Sequence, residues 1–402
     1  MQQSTFADLG VSSPVADALA ARGINEPFAV QQTVVPDVLA GHDVLVRSPT
    51  GSGKTLAFGV PLIDRLGAGK GKTAALVLAP TRELASQIVD ELDAIARVRR
   101  LKVVAVYGGA GIGAQMQAAR RADVLVATPG RLVDLIDRRA VSLAGIEMLV
   151  LDEADRMLDM GFRPVVDRLV ALTPDTRQTL LFSATLDGEV DRIARVYTRD
   201  ARRHEHAPTK TSRGKVEHRF LRVTRDARTD RLVDALADPE RGRTLVFVRT
   251  KRGADRLAKQ LSRHEQLSVA AMHGDKSQRQ RERALASFED GRVDTLVATD
   301  VAARGIDVRD ITHVINYDAP AAAEDYVHRV GRTARAGSTG VGITFVLDDQ
   351  VRDVVTMVAG LGLHRELEAG GLSVGANATR PPALSGGNAR RRRSARRRPA
   401  AR

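Results

Sequence analysis

The chain has 402 residues and is 43% hydrophobic, which suits two domains of ~150–200 residues, each with its own core, better than one. It contains no cysteine, which excludes a disulfide framework and a thiolate metal site. No run reaches the ~18–20 apolar residues that span a bilayer, so a cytoplasmic protein with no membrane partner is expected. The net charge of +13 is uneven: nine of those charges are arginines after Glu368, where no acid follows, leaving +4 for the rest.

In chain order, short apolar runs at 43–47, 74–79, 103–107, 123–127, 148–151 and 179–182 read as buried strands. Helical faces such as Leu84, Ile88, Leu92 and Ile95 lie between them. Strands alternating with helices imply a parallel sheet covered on both sides, an α/β architecture. The second half repeats the scheme. Residues 75–92 align with 244–261, the tetrapeptide LVAT recurs at 125–128 and 296–299, and Gly109 meets Gly274. Three matches in one order at nearly one offset indicate two copies of one fold, although the second copy has no Gly-Lys-Thr where 48–55 would align.

Residues 204–215 are polar and aperiodic and read as a linker, in which His204 and His206 could be metal ligands but, as an exposed pair without further ligands, are expected to hold no metal. The boundaries expected are 1–205 for the first domain, 206–215 for the linker, 216–370 for the second domain and 371–402 for a disordered basic tail. Arginine blocks of this kind neutralise phosphates and release counterions, so the tail is expected to touch nucleic acid.

The strand at 43–47 runs into Ser48-Pro49-Thr50-Gly51-Ser52-Gly53-Lys54-Thr55 and then a helix. That is the pattern of a phosphate-binding loop with Ser48 in place of its first glycine. Glycines let backbone N–H groups turn inward around phosphate, and the helix N-terminus adds positive potential. Lys54 is expected at the β/γ-phosphates and Thr55 at Mg²⁺. The run 148–151 ends in Asp152-Glu153-Ala154-Asp155. A carboxylate at the end of a buried strand beside the loop strand suits the metal, so Asp152 is the second Mg²⁺ residue. Glu153 would orient and deprotonate the attacking water.

Further motifs follow strand ends: Pro80-Thr81-Arg82-Glu83-Leu84, Gly108-Gly109, Thr128-Pro129-Gly130-Arg131 and Ser183-Ala184-Thr185. In the second copy they are His273-Gly274-Asp275, Thr299-Asp300 and the segment from His328 to Arg335. Ligands of open α/β sheets bind at the carboxyl ends of strands, so two such edges facing each other would make one cleft.

Together these motifs, over residues ~6 to ~345, resemble the DEAD-box family of superfamily 2 RNA helicases, with short flanks like those of small bacterial, RhlE-like members. The resemblance rests on Asp152-Glu153-Ala154-Asp155, on Ser183-Ala184-Thr185, and on a segment within 4–32 that runs from Gly23 to Gln31 with Phe6 upstream. It implies two RecA-like domains and an RNA-stimulated ATPase that separates short duplexes. It implies that Gln31 reads adenine with Phe6 and Ile24 around the base, and that Asp307 touches ribose. Asp155 and His328 would couple the ATP site to Ser183 and Thr185, and Arg332 and Arg335 would be arginine fingers. Arg82, Gly109, Thr128 and Arg131 would grip the RNA backbone from the first domain, and Gly274, Gln278, Arg281 and Thr299 from the second. Single-stranded and duplex RNA are the implied partners, with ribosomal particles or RNA-decay proteins behind them. Departures from the family pattern are Phe28 and Ala29 for threonine and proline, Val30 for isoleucine, Ser48 for alanine, and Ala334 for a frequent glycine.

Overall fold

The computed structural model describes residues 4–49, 51–67, 73–186, 188–206, 215–303, 308, 310–334 and 338–372. The first sheet contains β1 (Val44–Arg47), β2 (Ala75–Leu78), β3 (Val103–Val106), β4 (Val124–Ala127), β5 (Met148–Leu151), β6 (Gln178–Ser183) and β7 (Arg202–Glu205), in the order β3-β4-β2-β5-β6-β1-β7. The second contains β8 (Val216–Val223), β9 (Arg243–Phe247), β10 (Val269–Met272), β11 (Thr295–Ala298), β12 (Ile311–Asn316) and β13 (Gly340–Leu347), in the order β10-β11-β9-β12-β13-β8. Every pairing is parallel.

The strand sequences explain why both faces are covered. Side chains alternate across a strand, and here Val44, Val46, Val77, Val126, Val150 and Phe182 enter one core cluster. Their neighbours Leu45, Leu76, Leu125, Leu149 and Leu181 enter the other. The first cluster is closed by helices Ser13–Ala20, Ala29–Leu39, Lys54–Arg65 and Arg82–Val98. The expected face of Arg82–Val98 is there: Ile88, Leu92 and Ile95 are fully buried and Leu84 packs beside them. Gly59 lets Lys54–Arg65 approach that face, since a Cβ there would stand 2.2 Å from Leu92 Cδ2.

The internal repeat is real in three dimensions. Strand β2 with helix Arg82–Val98 and β9 with helix Lys251–Leu261 hold equivalent places. Thr81 and Thr250, matched in the sequence alignment, cap the two helices by accepting from Leu84 N and Gly253 N. By the same order β8 stands beside β13 where β1 stands beside β6, so the loop after β8 is the counterpart of the phosphate loop.

One sequence expectation needs correcting. His204 and Glu205 are not linker but the end of β7, which pairs with β1 at the sheet edge. Its sequence, Arg-Arg-His-Glu, has no apolar residue because an edge strand has a solvent side, where charge also blocks further pairing. The histidines are not idle: His204 Nε2 lies 2.9 Å from Asp37 Oδ2 and His206 Nε2 2.8 Å from Thr33 Oγ1, pinning the edge strand to helix Ala29–Leu39. Residues 207–214 of the linker and 373–402 of the tail lie outside the described residues. Among the described residues no helix is long and apolar enough to cross a membrane.

Candidate functional site

The phosphate loop leaves the C-terminal end of β1 and enters helix Lys54–Arg65. It is held shut by its own polar atoms. Ser48, which replaces the family alanine, donates to Ser52 Oγ (2.7 Å), Ser52 donates to Pro49 O (2.8 Å), and Lys54 Nζ donates to Ser48 O (2.9 Å). Gly51 has φ 77° and Gly53 has φ 87°. At Gly53 space is also short: a Cβ would stand 2.6 Å from both Gln31 Nε2 and Phe28 Cδ2. Gln31, 2% exposed, donates to Gly53 O and accepts from Phe28 N, so it ties the segment before the first strand to the loop. Each end of its amide keeps capacity for one more partner. Phe6 is buried in the core cluster, and Ile24 packs against the same cluster. Phe28 is 59% exposed. Thr50 lies outside the described residues.

Asp152 directly follows β5, and its Oδ1 accepts from Glu153 N (3.0 Å). Burial pushes its pKa up to about 7, opposed chiefly by the Lys54 charge. A buried carboxylate of this kind, under the influence of the Lys54 charge from the start of the loop helix, fits a Mg²⁺ bound by one carboxylate together with substrate phosphates. Glu153 sits at φ 52°, a left-handed conformation that costs a non-glycine residue of order 1 kcal/mol or more and that clusters at functional sites. Burial alone would raise its pKa, but the charges of Arg156, Lys54 and Arg332, with the Arg156 hydrogen bond of 2.8 Å, hold it below the ordinary value. It is therefore a carboxylate at neutral pH. Asp155 Oδ2 accepts from Ala184 N (3.0 Å), and Ser183 Oγ accepts from Thr185 N (3.3 Å), which ties the acidic motif to the segment after β6.

The second sheet's half faces this motif. Arg332 is buried, donates to His328 O, and acts on Glu153 across the cleft. His328 has its pKa lowered first by burial and then by Arg156, with Asp155 and Glu153 acting in the other direction. A narrow cavity between the halves is lined by Arg156, Phe247, Asp300, His328, Arg329 and Arg332. Arg329 organises this wall: it donates to both oxygens of Asp300, to Asn316 Oδ1 and to Asp318 O, and its guanidinium lies over Phe247. Arg335 and Asp307 lie outside the described residues.

On the other side of the strand ends, Arg82 lies against the glycine pair, where a Cβ on Gly109 would meet its Nη1 at 2.1 Å. Thr128 is buried at the end of β4. Arg131 points under this turn, donating to Ala110 O and Gln115 Oε1 (2.9 Å), so it supports the loop carrying Gly109. In the second half, Gly274, Gln278 and Thr299 follow β10 and β11, with Lys251 Cε 3.4 Å from the Cβ position of Gly274. Arg281 was expected at the RNA with these residues. It pairs with Glu83 of the first half, Nη2 to Oε1 at 2.6 Å, with both side chains under 8% exposed. Burial raises the Glu83 pKa and lowers that of Arg281 despite their attraction. The pair joins the two edges, and the cost of burial offsets part of its attraction.

Glu83, Arg156 and Arg329 make buried contacts at the site beside the residues chosen from sequence. Glu83 and Arg329 stood inside quoted motifs, but their partners are remote in sequence, and only Arg156, three residues after Glu153, had a local signal.

Comparisons with known proteins agree with this geometry. Residues 28–193 match the DEAD/DEAH box helicase model, and 227–337 match the helicase conserved C-terminal domain. The DEAD-box ATP-dependent RNA helicase CshA of Bacillus subtilis is 40% identical over 85% of this chain and 69% of its own length. The ATP-dependent RNA helicase CshA of Limosilactobacillus reuteri is 41% identical over 86% and 70%. Among solved structures, Saccharomyces cerevisiae Dbp5 bound to RNA and ADP BeF3 superposes with a TM-score of 0.80 at 29% identity, covering 89% of this chain and 93% of that one. A DEAD box protein from Methanococcus jannaschii covers the same 89%, and 97% of its own chain, at 34% identity, with a TM-score of 0.52.

Proposed function

The chain belongs to the DEAD-box family and is an ATP-hydrolysing RNA helicase, and from that premise we propose that it separates short RNA duplexes by closing its two halves over one strand. The observation that carries this reading is the pairing of the halves: Arg281 on Glu83 at the RNA edge, and Arg332 acting on Glu153 at the ATP edge. The two structural likenesses support it. Equal coverage with a lower TM-score at higher identity is what a different placement of two similar domains produces, and the arrangement here is nearer that of RNA- and ADP BeF3-bound Dbp5.

In this reading the loop amides and Lys54 hold the phosphates of ATP, and Gln31 reads the adenine edge with Phe6 and Ile24 beneath. Thr55 and Asp152 would hold Mg²⁺, which would supply charge neutralisation at the phosphate oxygens. Glu153 orients water and takes its proton. Arg332, with Arg335 as its partner by family resemblance, offsets the charge that grows on the transferring phosphoryl group. Asp307 would reach the ribose. Asp155, through Ala184 N, and His328 pass the state of this site to Ser183 and Thr185.

Arg82, Gly109, Thr128, Gly274, Gln278 and Thr299 form the RNA edge, with Arg131 as a support. They would grip phosphates and sugars without reading bases. A strand bent away from A-form geometry by that grip cannot stay paired, and release of phosphate reopens the cleft. The arginine tail would add affinity without chemistry. Ribosome assembly, cold response and mRNA turnover are the processes such an activity would serve, and the RhlE-like branch stays within this proposal.

Glu153→Gln tests the reading. It keeps the loop and Asp152 but removes the base, so ATP and RNA should bind and persist in a closed complex while turnover is lost. Parental turnover in this variant would refute the assignment.

A further inference from the structure

The second half has a cavity of about 540 Å³ where the first half has its nucleotide loop. It lies over the C-terminal ends of β8, β9, β12 and β13, which by sheet order are the counterparts of β1, β2, β5 and β6. Open α/β sheets bind ligands at this edge. The loop after β8 is Thr-Arg-Asp-Ala, with neither the glycines nor the lysine of a phosphate loop, so the counterpart cannot cradle phosphate with backbone amides. It is lined instead by four arginines, Arg225, Arg228, Arg249 and Arg256, against two carboxylates, Asp318 and Asp349.

The carboxylates are already engaged. Asp318 Oδ1 accepts from Arg228 Nη2 (2.5 Å), and its Oδ2 accepts from the backbone N of Arg249 (2.7 Å). Asp349 pairs with Arg225. The Arg228 guanidinium is also fixed 3.6 Å over the Tyr317 ring. Among the described residues, the Arg249 and Arg256 side chains meet no carboxylate, and both residues are exposed toward solvent. The N-terminal turn of helix Lys251–Leu261, through Thr250 and Gly253, lines the same wall and adds its positive end. Two unpaired guanidiniums, a third held rigidly by ring and carboxylate, and a helix start surround one concave space. Guanidinium forks match phosphate oxygens in pairs.

We propose that this cavity is a second anion site, which binds an oligophosphate group of at least two phosphoryl units through Arg249 and Arg256. The group can come from a free oligophosphate or from the 5′-triphosphate end of an RNA. The two sources present the same oxygens and are separated by experiment.

Tripolyphosphate is titrated calorimetrically into the full chain and into Arg249→Gln/Arg256→Gln, with Arg256→Gln alone as the milder variant. In parallel, one RNA oligomer is compared with a 5′-triphosphate and with a 5′-hydroxyl end. Two tripolyphosphate sites are expected in the parent, the phosphate loop and this cavity. The double variant should keep one and lose the other by more than tenfold, the single variant should weaken it by less, and ATP turnover at saturating RNA should not change. A single tripolyphosphate site in the parent, together with tighter binding of the triphosphorylated RNA that the double variant abolishes, assigns the site to RNA ends. A second site indifferent to both arginines overturns the proposal. So does a single site together with equal affinity for both RNA ends.

Discussion

The two halves share a sheet order and differ in what fills the loops at its edge. After β1 the first half places glycines and a lysine, and after β5 two adjacent buried carboxylates, so its edge can hold phosphate and metal and activate water. The second half places arginines at two of the equivalent ends, Arg225 after β8 and Arg249 after β9, with Arg329 on the helix that follows β12 and Arg332 just beyond that helix. In the proposed mechanism the first half binds and cuts ATP and the second supplies positive charge through Arg332, so the chemistry would depend on the geometry between them.

The sharpest way to break this division is at Arg332. If the second half contributes only charge, Arg332→Ala should lower RNA-stimulated ATP turnover by on the order of 10³–10⁵ while leaving ATP affinity within a few fold. Turnover by residues 1–205 alone at the parental rate would show that the first half needs no partner. The next largest effect belongs to the pair that joins the halves. Arg281→Ala leaves Glu83 buried without a counter-charge whenever the cleft closes, a cost of about 3–5 kcal/mol. In the proposed mechanism parting of the halves separates the pair and exposes both residues to water, so the loss should fall on closure and not on folding. Fluorescence energy transfer between labels on the two halves should report a smaller closed fraction with ATP and RNA. Thermal unfolding should stay near the parental value, and Glu83→Gln in the same chain should recover part of the closure. An unchanged closed fraction in Arg281→Ala would leave the pair without that role.

What was legible in the sequence follows from what is local. The strands at 75–78, 124–127 and 148–151 are buried on both faces, so their apolar runs stand out and their ends were placed within a residue. The duplication was readable because Thr81 and Thr250 cap equivalent helices and repeat at the same offset. Strand β7 was not readable, since an edge strand of Arg-Arg-His-Glu has no apolar signature. The nucleotide motif was legible because its residues are contiguous. Arg281 was assigned by resemblance to the RNA, and its partner Glu83 sits in the other half, which no periodicity connects. The Phe28 ring against Gly53 is of the same kind: sequence showed a missing hydroxyl, and the structure shows an aromatic ring on the loop.

Acid should also separate the halves. In the second, His218, His313 and His328 have pKa values lowered by burial from the ordinary 6.5. The unfolded chain therefore binds more protons below that value, and the stability these groups contribute above it is lost as pH falls. Asp255 and Asp275, held low by Lys276 and Lys251, lose their contribution further down. In the first half burial lowers His206 in the same way, but it raises Glu83 and Asp90, which act in the opposite direction and gain as pH falls. Amide exchange, corrected for intrinsic rate, should show strands β8 to β13 losing protection before β1 to β6 as pH drops through 6.5 and below. Loss in the reverse order would mean that the buried histidines do not govern the second half.

The smallest effect concerns a single backbone conformation. Gly53 in the first half takes φ 87° as the loop requires, and Ala334 in the second takes φ 54°, a conformation that favours glycine. A left-handed alanine is strained by about 1–2 kcal/mol. Glycine would remove that strain but adds about 0.5–1 kcal/mol of chain entropy to be lost on folding. Ala334→Gly should therefore stabilise the second half by no more than about 1 kcal/mol in denaturant unfolding. Gly53→Ala should do the reverse, because it meets both the disfavoured φ and the 2.6 Å approach to Gln31 and Phe28. Strain next to Arg332 also bears on function. If it holds that arginine toward Glu153, the more stable Ala334→Gly protein should turn over ATP more slowly at saturating RNA. If turnover is unchanged, the conformation is a tolerated cost of this sequence and plays no part in aiming the arginine.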